Sequence, residues 1–333
     1  MTLILNSHDT IAASDMGRVM DAIEAATQDE AKGTLVQAER LNLSNETVTM
    51  RLMPAIIPSI GAQGFKVFGH AANGLWRYLI GISDTVDGRL LCLMDGNYLT
   101  ALRTGAATGV ATRHLARPDV ATVGIIGSGL EARTNLRAVM IARPEIRKAT
   151  VFSPNHDRRE AYGREMSAEL GIEITAVAAG SEAVAGADVV IVATNTMKAV
   201  GSQIAYKGGW IEPSQHVNAI GATGVHMREA DAEMFRRADL LVSDASWDQL
   251  ERECGDVIAA VACGALDRGR TTLLKDIVSG AHPGRQSADD VTVYKSVGAG
   301  LQDVAAGFAA YEHAMELGIG TEVPDFLEPK ELR

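Results

Sequence analysis

The stretch Ala121-Thr-Val-Gly-Ile-Ile-Gly-Ser-Gly-Leu-Glu-Ala132 decides the fold of this chain. A run of β-prone residues enters the turn, and Ala132 occupies the third small position of a GxGxxA pattern. A buried strand that ends in such a turn and opens a helix is typical of a dinucleotide site, whose phosphates lie at the helix start. A glycine-rich turn without a ligand is the alternative. The expected cofactor contacts are Gly127, Ser128, Gly129, Leu130, Glu131 and Ala132.

Strands and helices alternate from this stretch onward. Six strand-like runs, at 122–126, 149–153, 173–177, 188–193, 216–220 and 239–243, predict a doubly wound parallel sheet of the Rossmann type. Helices are expected at 131–141, 158–170 and 182–187. The run at 188–193 is apolar throughout its middle, as a strand covered on both faces requires.

The first 118 residues follow a different pattern. Strand-like runs at 47–53, 64–69, 78–84 and 89–94 are separated by turn residues, and Asp87-Gly88 predicts a hairpin. Helices are expected at 99–115 and, rich in Ala and Gly, at 297–317. We expect this last helix to pack on the N-terminal unit. The predicted α/β organisation is a Rossmann domain at 119–297 inserted into an α+β domain of 1–118 and 298–333.

Composition narrows the class of protein. The chain has 333 residues, 47% of them hydrophobic and 22% charged, which suggests a globular protein of about two domains. A net charge of −11 argues against nucleic acid or an anionic membrane as the main partner. Three scattered cysteines predict neither a disulfide framework nor a metal site. Without a signal-peptide pattern or a membrane-length apolar run, we expect a cytoplasmic protein.

The end of the second Rossmann strand bears on cofactor choice. Many NAD enzymes carry an acid there for the ribose hydroxyl, whereas this chain has Ser153, followed by Asn155, Arg158 and Arg159. This composition favours NADPH over NADH. The alternatives are that the arginines are a solvated helix start capped by Asn155, or that Asp157 binds the ribose of NAD.

A polar turn follows the fourth strand. Ala193, Thr194, Asn195 and Thr196 come directly after the apolar run, at the carboxyl edge where ligands bind in such sheets. We expect the first three to line the cofactor. A simple connecting turn is the alternative.

Two cations stand in apolar surroundings near the N-terminus. Lys66 lies in the strand-like Gly64-Phe-Lys-Val67, and Arg103 begins the small-residue part of Leu99-Thr-Ala-Leu-Arg-Thr-Gly-Ala106. An inward lysine is costly unless it is paired, and it can bind a carboxylate or move a proton. An arginine can hold a carboxylate bidentately. Surface charges that snorkel or form salt bridges are the alternative.

The chain resembles the ornithine cyclodeaminase/mu-crystallin family over nearly its whole length. The resemblance is carried by the two segments around Lys66 and Arg103, by the glycine-rich stretch at 121–132, and by the block from Gly284-Arg-Gln-Ser287 through Val291-Thr-Val-Tyr-Lys-Ser296 to Asp303. The resemblance implies a homodimer with an N-terminal substrate and dimerisation domain beside the Rossmann domain. Members of the family include cyclodeaminases, cyclic-imine reductases and amino-acid dehydrogenases.

The resemblance also implies roles for single residues. Arg40, Lys66 and Arg103 correspond to the residues that hold the substrate carboxylate, and Thr104 to one that approaches the cofactor phosphates. Ile220 and Lys295 are expected among the cofactor contacts.

Thr223 departs from the family pattern. It stands in Gly221-Ala-Thr-Gly224, where ornithine cyclodeaminase has an acid that handles protons. A threonine is a poor general base, so this departure argues against cyclodeaminase activity and leaves hydride transfer intact.

Three further polar residues bear on the substrate. If Arg51, His70 or Arg77 faces the pocket, it could receive a second carboxylate, as on iminosuccinate, whereas surface decoration is the alternative.

The sequence predicts a nicotinamide-dependent reductase of imino acids that binds its substrate between the domains and forms L-amino acids. Its substrates would be cyclic ketimines such as pyrroline-2-carboxylate, or linear imines such as iminosuccinate. Lys66 or a water near Thr223 would protonate the imine. The alternatives are a cyclodeaminase-type lyase with tightly bound NAD, and a crystallin-like protein that binds NADP(H) without turnover.

Overall fold

The computed structural model describes residues 1–195, 204–324 and 326–330, and it divides the chain into two compact units. Met1–Ala107 and Ala299–Arg333 form one unit, and Thr108–Gly298 is inserted into it. The first boundary falls within a helix, α3 (Asn97–Leu115), and so lies ahead of the predicted boundary at 118. Thr196, in the predicted turn after the fourth strand, lies outside the described residues.

The first unit contains a mixed sheet and helices, numbered here in chain order. Its strands are β1 (Thr2–Leu5), β2 (Val36–Gln37), β3 (Leu41–Ser44), β4 (Thr49–Ile57), β5 (Ala62–His70), β6 (Trp76–Asp84), β7 (Leu90–Asp95) and β16 (Thr321–Val323). Its helices are α1 (Ser7–Ala13), α2 (Met16–Lys32), the first part of α3, and α11 (Gly300–Leu317). The strand order is β16-β1-β7-β6-β5-β4-β2, with β3 paired to β4. The antiparallel pairing of β6 with β7 confirms the hairpin at Asp87-Gly88.

Helix α11 packs on the sheet of its own unit, as expected from the sequence. It lies against β4, β5 and β6, where alternate residues such as Met53, Ile80 and Ile82 are buried. A Cβ on Gly307 would lie 2.9 Å from Cγ2 of Ile80, so the glycine permits a close approach of helix and sheet. The first turn of α11 is thereby held next to the middle of β5.

The inserted unit is a Rossmann fold. Its strands are β8 (Thr122–Ile126), β9 (Lys148–Phe152), β10 (Glu173–Ala176), β11 (Val189–Val192), β12 (His216–Ala219), β13 (Leu240–Ser243), β14 (Thr271–Leu273) and β15 (Thr292–Lys295). Its helices are α4 (Leu130–Ala142), α5 (His156–Leu170), α6 (Gly180–Val184), α7 (Ala232–Arg237), α8 (Trp247–Glu253), α9 (Gly255–Ala262) and α10 (Leu274–Val278). All of the strand pairs are parallel, in the order β10-β9-β8-β11-β12-β15-β13-β14.

The prediction of six strands in this unit was two short. β14 is only three residues long and half-buried, so its sequence carries little periodic signal. β15 is fully buried, but it is a four-residue run that ends in a lysine. It enters the sheet between β12 and β13, both of which precede it in the chain. Its position therefore depends on contacts far apart in sequence.

Both faces of the parallel sheet are covered. Along β11, Val189 and Ile191 belong to one apolar cluster, and Val190 and Val192 belong to another. A strand buried on both faces must be apolar throughout, which explains its sequence. No helix in the described part of the chain is long and apolar enough to cross a membrane. The three cysteines are free thiols.

Candidate active site

Buried charges meet in the N-terminal unit, on three different elements. Lys66 on β5, Arg103 on α3 and Asp303 on α11 are each less than a tenth exposed. Oδ1 of Asp303 accepts hydrogen bonds from Nζ of Lys66 at 2.6 Å and from Nε of Arg103 at 2.8 Å. Nη1 of Arg103 also donates to Oε1 of Gln302 at 3.0 Å. We call Lys66, Arg103 and Asp303 the buried charge cluster.

The local sequence explains why these side chains converge. Lys66 is paired with Met53 and Ile80 across β5, so it shares their buried face of the sheet. Asp303 lies in the first turn of α11, where the helix dipole stabilises a negative charge. The lysine and the aspartate are 237 positions apart in the chain, so only the packing of α11 brings them together.

Arg40 acts on the same cluster from the segment between β2 and β3. Its side chain is 7% exposed, and its charge contributes to lowering the pKa of Lys66. The structure therefore places the three residues expected at the substrate carboxylate, Arg40, Lys66 and Arg103, under one another's electrostatic influence.

The ammonium of Lys66 is poised to lose its proton near neutral pH. Burial is the main cause, and together with the charges of Arg103 and Arg40 it lowers the pKa of Lys66 to about 7, against the opposing effect of Asp303. An amine with such a pKa can give up or accept a proton at neutral pH. A bound carboxylate would add negative charge and favour the protonated form.

The roles of Asp303 and Gln302 were not expected from the sequence. Asp303 is fully buried, and its Oδ2 has no hydrogen-bond partner among the described residues. A buried carboxylate oxygen without a partner is unusual, and it is compatible with a site that takes up a ligand. The available signal was an acid near the start of a helix made mostly of small residues.

The glycine-rich turn of the inserted unit has the features of a phosphate-binding turn. Gly127 has a φ of +120°, and a Cβ there would collide with the carbonyl oxygen of Ala193. Gly129 caps α4, and a Cβ built on it meets nothing within 4 Å. Ala132 is fully buried against the sheet. The helix start thus presents backbone N–H groups beside open space, which fits a dinucleotide phosphate.

The remaining members of this turn lie around it. Ser128 shares a hydrogen bond of 2.8 Å with Ser153 at the end of β9. Leu130 is 43% exposed at the start of α4, and Glu131 lies in the first turn of that helix.

The end of β9 is polar and cationic. Asn155 caps α5 by accepting a hydrogen bond from the backbone N–H of Arg158 at 2.9 Å, so its side chain has a structural role. The side chain of Arg158 is exposed, whereas Arg159 donates to the carbonyl of Ser153 at 3.0 Å. Asp157 is almost fully exposed. Ser153 and the exposed Arg158 at the start of α5 thus lie where many NAD enzymes have an acid.

The carboxyl edge of the sheet is organised by a buried acid that sequence analysis missed. Glu229 accepts hydrogen bonds from N and Oγ1 of Thr194, at 3.4 and 3.1 Å, and from N of Gly221 at 2.6 Å. It therefore joins the residues that follow β11 to those that follow β12. Ala193 and Asn195 flank Thr194, and Ile220 is buried next to Gly221.

Lys295, expected among the cofactor contacts, is fully buried at the end of β15. Its Nζ lies 3.2 Å from Glu229 and 3.3 Å from Asp256. Although burial opposes it, the charge of Glu229 raises the pKa of Lys295 above its usual range. Burial in turn raises the pKa of Glu229, against the effect of Lys295. Lys295 thus supports the edge of the sheet through Glu229.

Two threonines complete the set of expected site residues. Thr223 is half-buried in the connection after β12, two residues beyond Gly221. Thr104 is buried, and its hydroxyl donates to the carbonyl of Thr100 within α3 at 2.8 Å.

A sequence model of the ornithine cyclodeaminase/mu-crystallin family matches residues 1–318. The chain belongs to this family.

Individual relatives match nearly the whole chain. A Delta(1)-pyrroline-2-carboxylate reductase of Bacillus cereus is 29% identical, across 96% of this chain and 99% of its own length. The Thermococcus litoralis Delta(1)-pyrroline-2-carboxylate reductase, solved with NADH and L-proline, is 35% identical with a TM-score of 0.89, across 97% of this chain and 100% of the other. An archaeal alanine dehydrogenase dimer with bound NAD is 28% identical with a TM-score of 0.88, across 98% and 99% of the two chains.

Proposed function

We propose that the protein is an NAD(P)H-dependent oxidoreductase that reduces imino acids to L-amino acids. The buried charge cluster carries the proposal, because it joins cations that can hold an α-carboxylate to a lysine that exchanges its proton near neutral pH. The names of the pyrroline-2-carboxylate reductases support this choice. Candidate substrates are cyclic ketimines such as pyrroline-2-carboxylate and linear imines such as iminosuccinate.

Arg40 and the three residues of the buried charge cluster have separate tasks in this proposal. Arg40 and Arg103 hold the substrate carboxylate and draw electron density from the adjacent imine carbon. Lys66 holds the same carboxylate and is the first candidate to deliver a proton to the imine nitrogen. Asp303 keeps Lys66 and Arg103 in place. A bound nicotinamide supplies the hydride for the imine carbon.

The inserted unit fits a dinucleotide at its glycine-rich turn. Gly127 adopts a conformation that disfavours other residues, and the space beside Gly129 is open. We further propose a preference for NADPH, because Ser153 and the exposed Arg158 suit a 2′-phosphate better than a free hydroxyl. Steady-state kinetics with both cofactors test this preference.

Substitution of the lysine tests the proposed chemistry. Lys66→Ala removes both a carboxylate ligand and the first candidate proton donor, so we expect kcat/KM for imine reduction to fall by at least about 100-fold. Lys32→Ala is the matched control, since Lys32 is an exposed lysine of the same unit that pairs with Asp29 and lies outside the buried charge cluster. Turnover that survives Lys66→Ala would refute the mechanism.

A homodimer is the proposed assembly. The sheet face opposite to α11 presents exposed apolar side chains, which include Leu41, Leu43, Met50, Ile56 and Leu79. A cavity of about 490 Å³ on β2, β4, β5 and β6 is lined in part by Leu52, Ile56 and Phe65 of this face. Exposed apolar patches of this kind mark interaction surfaces, and the related alanine dehydrogenase is a dimer. Sedimentation of the wild type and of Met50→Asp tests the assembly, because the charge should shift the mass toward the monomer.

A further inference from the structure

A row of side chains extends the buried charge cluster along the same face of the sheet. Arg51 on β4, Phe68 on β5 and Tyr78 on β6 lie directly opposite one another. In the neighbouring row along the strands, Lys66 is paired with Met53 and Ile80. Residues two apart on a strand face the same side, and the two rows are about 7 Å apart. Arg51 and Lys66 therefore share one face of the sheet.

The ring of Phe68 lies close to both cations. Nζ of Lys66 is 4.8 Å from the ring centroid, and Cζ of Arg51 is 5.7 Å from it. The distance from Nζ of Lys66 to Cζ of Arg51 thus cannot exceed the sum of these two distances. Because a bridging molecule also needs a charge-assisted hydrogen bond of about 2.8 Å at each end, only one with a short carbon chain fits within this limit.

Aromatic contacts hold Arg51 in position. Its guanidinium also lies 5.8 Å from the centroid of the Trp76 ring, and Phe68 stacks on Tyr78 at 5.3 Å. Stacking on aromatic rings orients the guanidinium plane, while its N–H groups point outward in that plane and can bind a carboxylate bidentately. A half-buried, oriented arginine is suited to selecting a ligand, unlike a mobile surface charge.

The register of the strands places Arg51 and Arg77, the two arginines considered for a second carboxylate, on opposite faces of the sheet. His70 is paired with Trp76 and shares the face of Lys66, whereas Arg77 is paired with Gly69 and faces the opposite side. Of the two arginines, only Arg51 can approach a ligand held on Lys66.

We propose that Arg51 makes the protein selective for linear imino acids with a second carboxylate, at the end of a short side chain of four- or five-carbon substrates. One carboxylate binds Arg40, Lys66 and Arg103, the carbon chain passes over Phe68, and the second carboxylate binds Arg51. This inference rests on the imine reduction proposed above. Among the candidate substrates of that reaction, Arg51 favours the dicarboxylic imines.

A matched pair of substrates tests the inference. Oxaloacetate with ammonia forms a dicarboxylic imine, and 4-methyl-2-oxopentanoate with ammonia replaces the second carboxylate by a neutral isopropyl group of similar shape. For the wild type we expect kcat/KM to be at least about tenfold higher with oxaloacetate. Arg51→Leu should reduce the ratio of the two kcat/KM values by tenfold or more, and Arg51→Lys should restore part of it.

The control is Arg89→Leu, which removes an exposed guanidinium from the same unit and should leave the ratio unchanged. A ratio that is unaltered by Arg51→Leu would overturn the inference. So would a wild type that reduces pyrroline-2-carboxylate and not the oxaloacetate imine, although the proposed reductase function would then stand. If none of these imines were reduced, the proposed function itself would fail and the inference with it.

Discussion

We expect the two fully buried lysines, Lys66 and Lys295, to respond in opposite ways to the same substitution, because the charges around them differ. Of the neighbouring charges that act most on Lys66, two are cations, Arg103 and Arg40, and one is the anion Asp303. Around Lys295 lie two acids, Glu229 and Asp256. Lys66 thus adds to an excess of positive charge, whereas Lys295 offsets an excess of negative charge.

The contribution of Lys66 to the pH dependence of stability follows from its pKa, which falls from 10.5 to about 7 on folding. Between these values the unfolded chain binds the proton and the folded chain releases it, so stability rises with pH. This linkage makes the wild type more stable by about 2 kcal/mol at pH 9 than at pH 7. Lys66→Met removes this rise, and its free energy of unfolding at pH 7 equals or exceeds that of the wild type.

Lys295→Met removes the cation beside the buried Glu229 and leaves Asp256 with Arg228, whose Nε lies 3.5 Å away. Loss of one partner from a buried ion pair costs about 3–5 kcal/mol, so this variant should be much less stable than the wild type at pH 7. Urea unfolding of both variants and the wild type at pH 7 and pH 9 measures these differences. Parallel pH dependence in wild type and Lys66→Met, or equal destabilisation by the two substitutions, would refute the assignment of charges.

The remaining predictions concern the cofactor and the proton. Gly127→Ala forces a methyl group onto the carbonyl of Ala193 at a φ of +120°, so it should cost about 1–3 kcal/mol in thermal unfolding and weaken NAD(P)H binding in a fluorescence titration. Arg158→Ala should raise the KM for NADPH at least about tenfold and leave that for NADH unchanged, and an equal rise in both would contradict the assignment. In the wild type, kcat/KM should fall as pH rises through about 7, where Lys66 loses its proton. Asp303→Asn should move that limb of the pH–rate profile to lower pH, because Asp303 raises the pKa of Lys66.

The Rossmann sheet was the most predictable part of the fold, because its signals are local. β8 occupies the predicted residues 122–126, since an apolar run and the following glycine turn define both of its ends. β15 lacked such marks, and its place in the sheet depends on distant partners. The first helices were not predicted, although Asp15 caps α2 and Gly33 ends it with a left-handed conformation. Its buried residues Met16, Val19, Met20 and Ile23 also follow a helical period, so both capping and apolar signals were present and were overlooked.

The candidate site was predictable only in part. Lys66 and Arg103 stand out in sequence because each is a cation among apolar or small residues. Their partner Asp303 and the edge-supporting Glu229 do not, since an acid gains meaning only when packing buries it beside a cation. Likewise, the choice between Arg51 and Arg77 required the register of the sheet.

The most direct test of the account is the loss of nicotinamide absorbance by the purified protein, with NADPH and NADH measured in parallel. The substrates would be pyrroline- and piperideine-2-carboxylate, and oxaloacetate, pyruvate and glyoxylate, each 2-oxo acid with ammonia. We expect rapid oxidation of the cofactor with at least one of these imines. Tight binding of cofactor without oxidation by any of them would contradict it, and would favour a lyase or a binding protein.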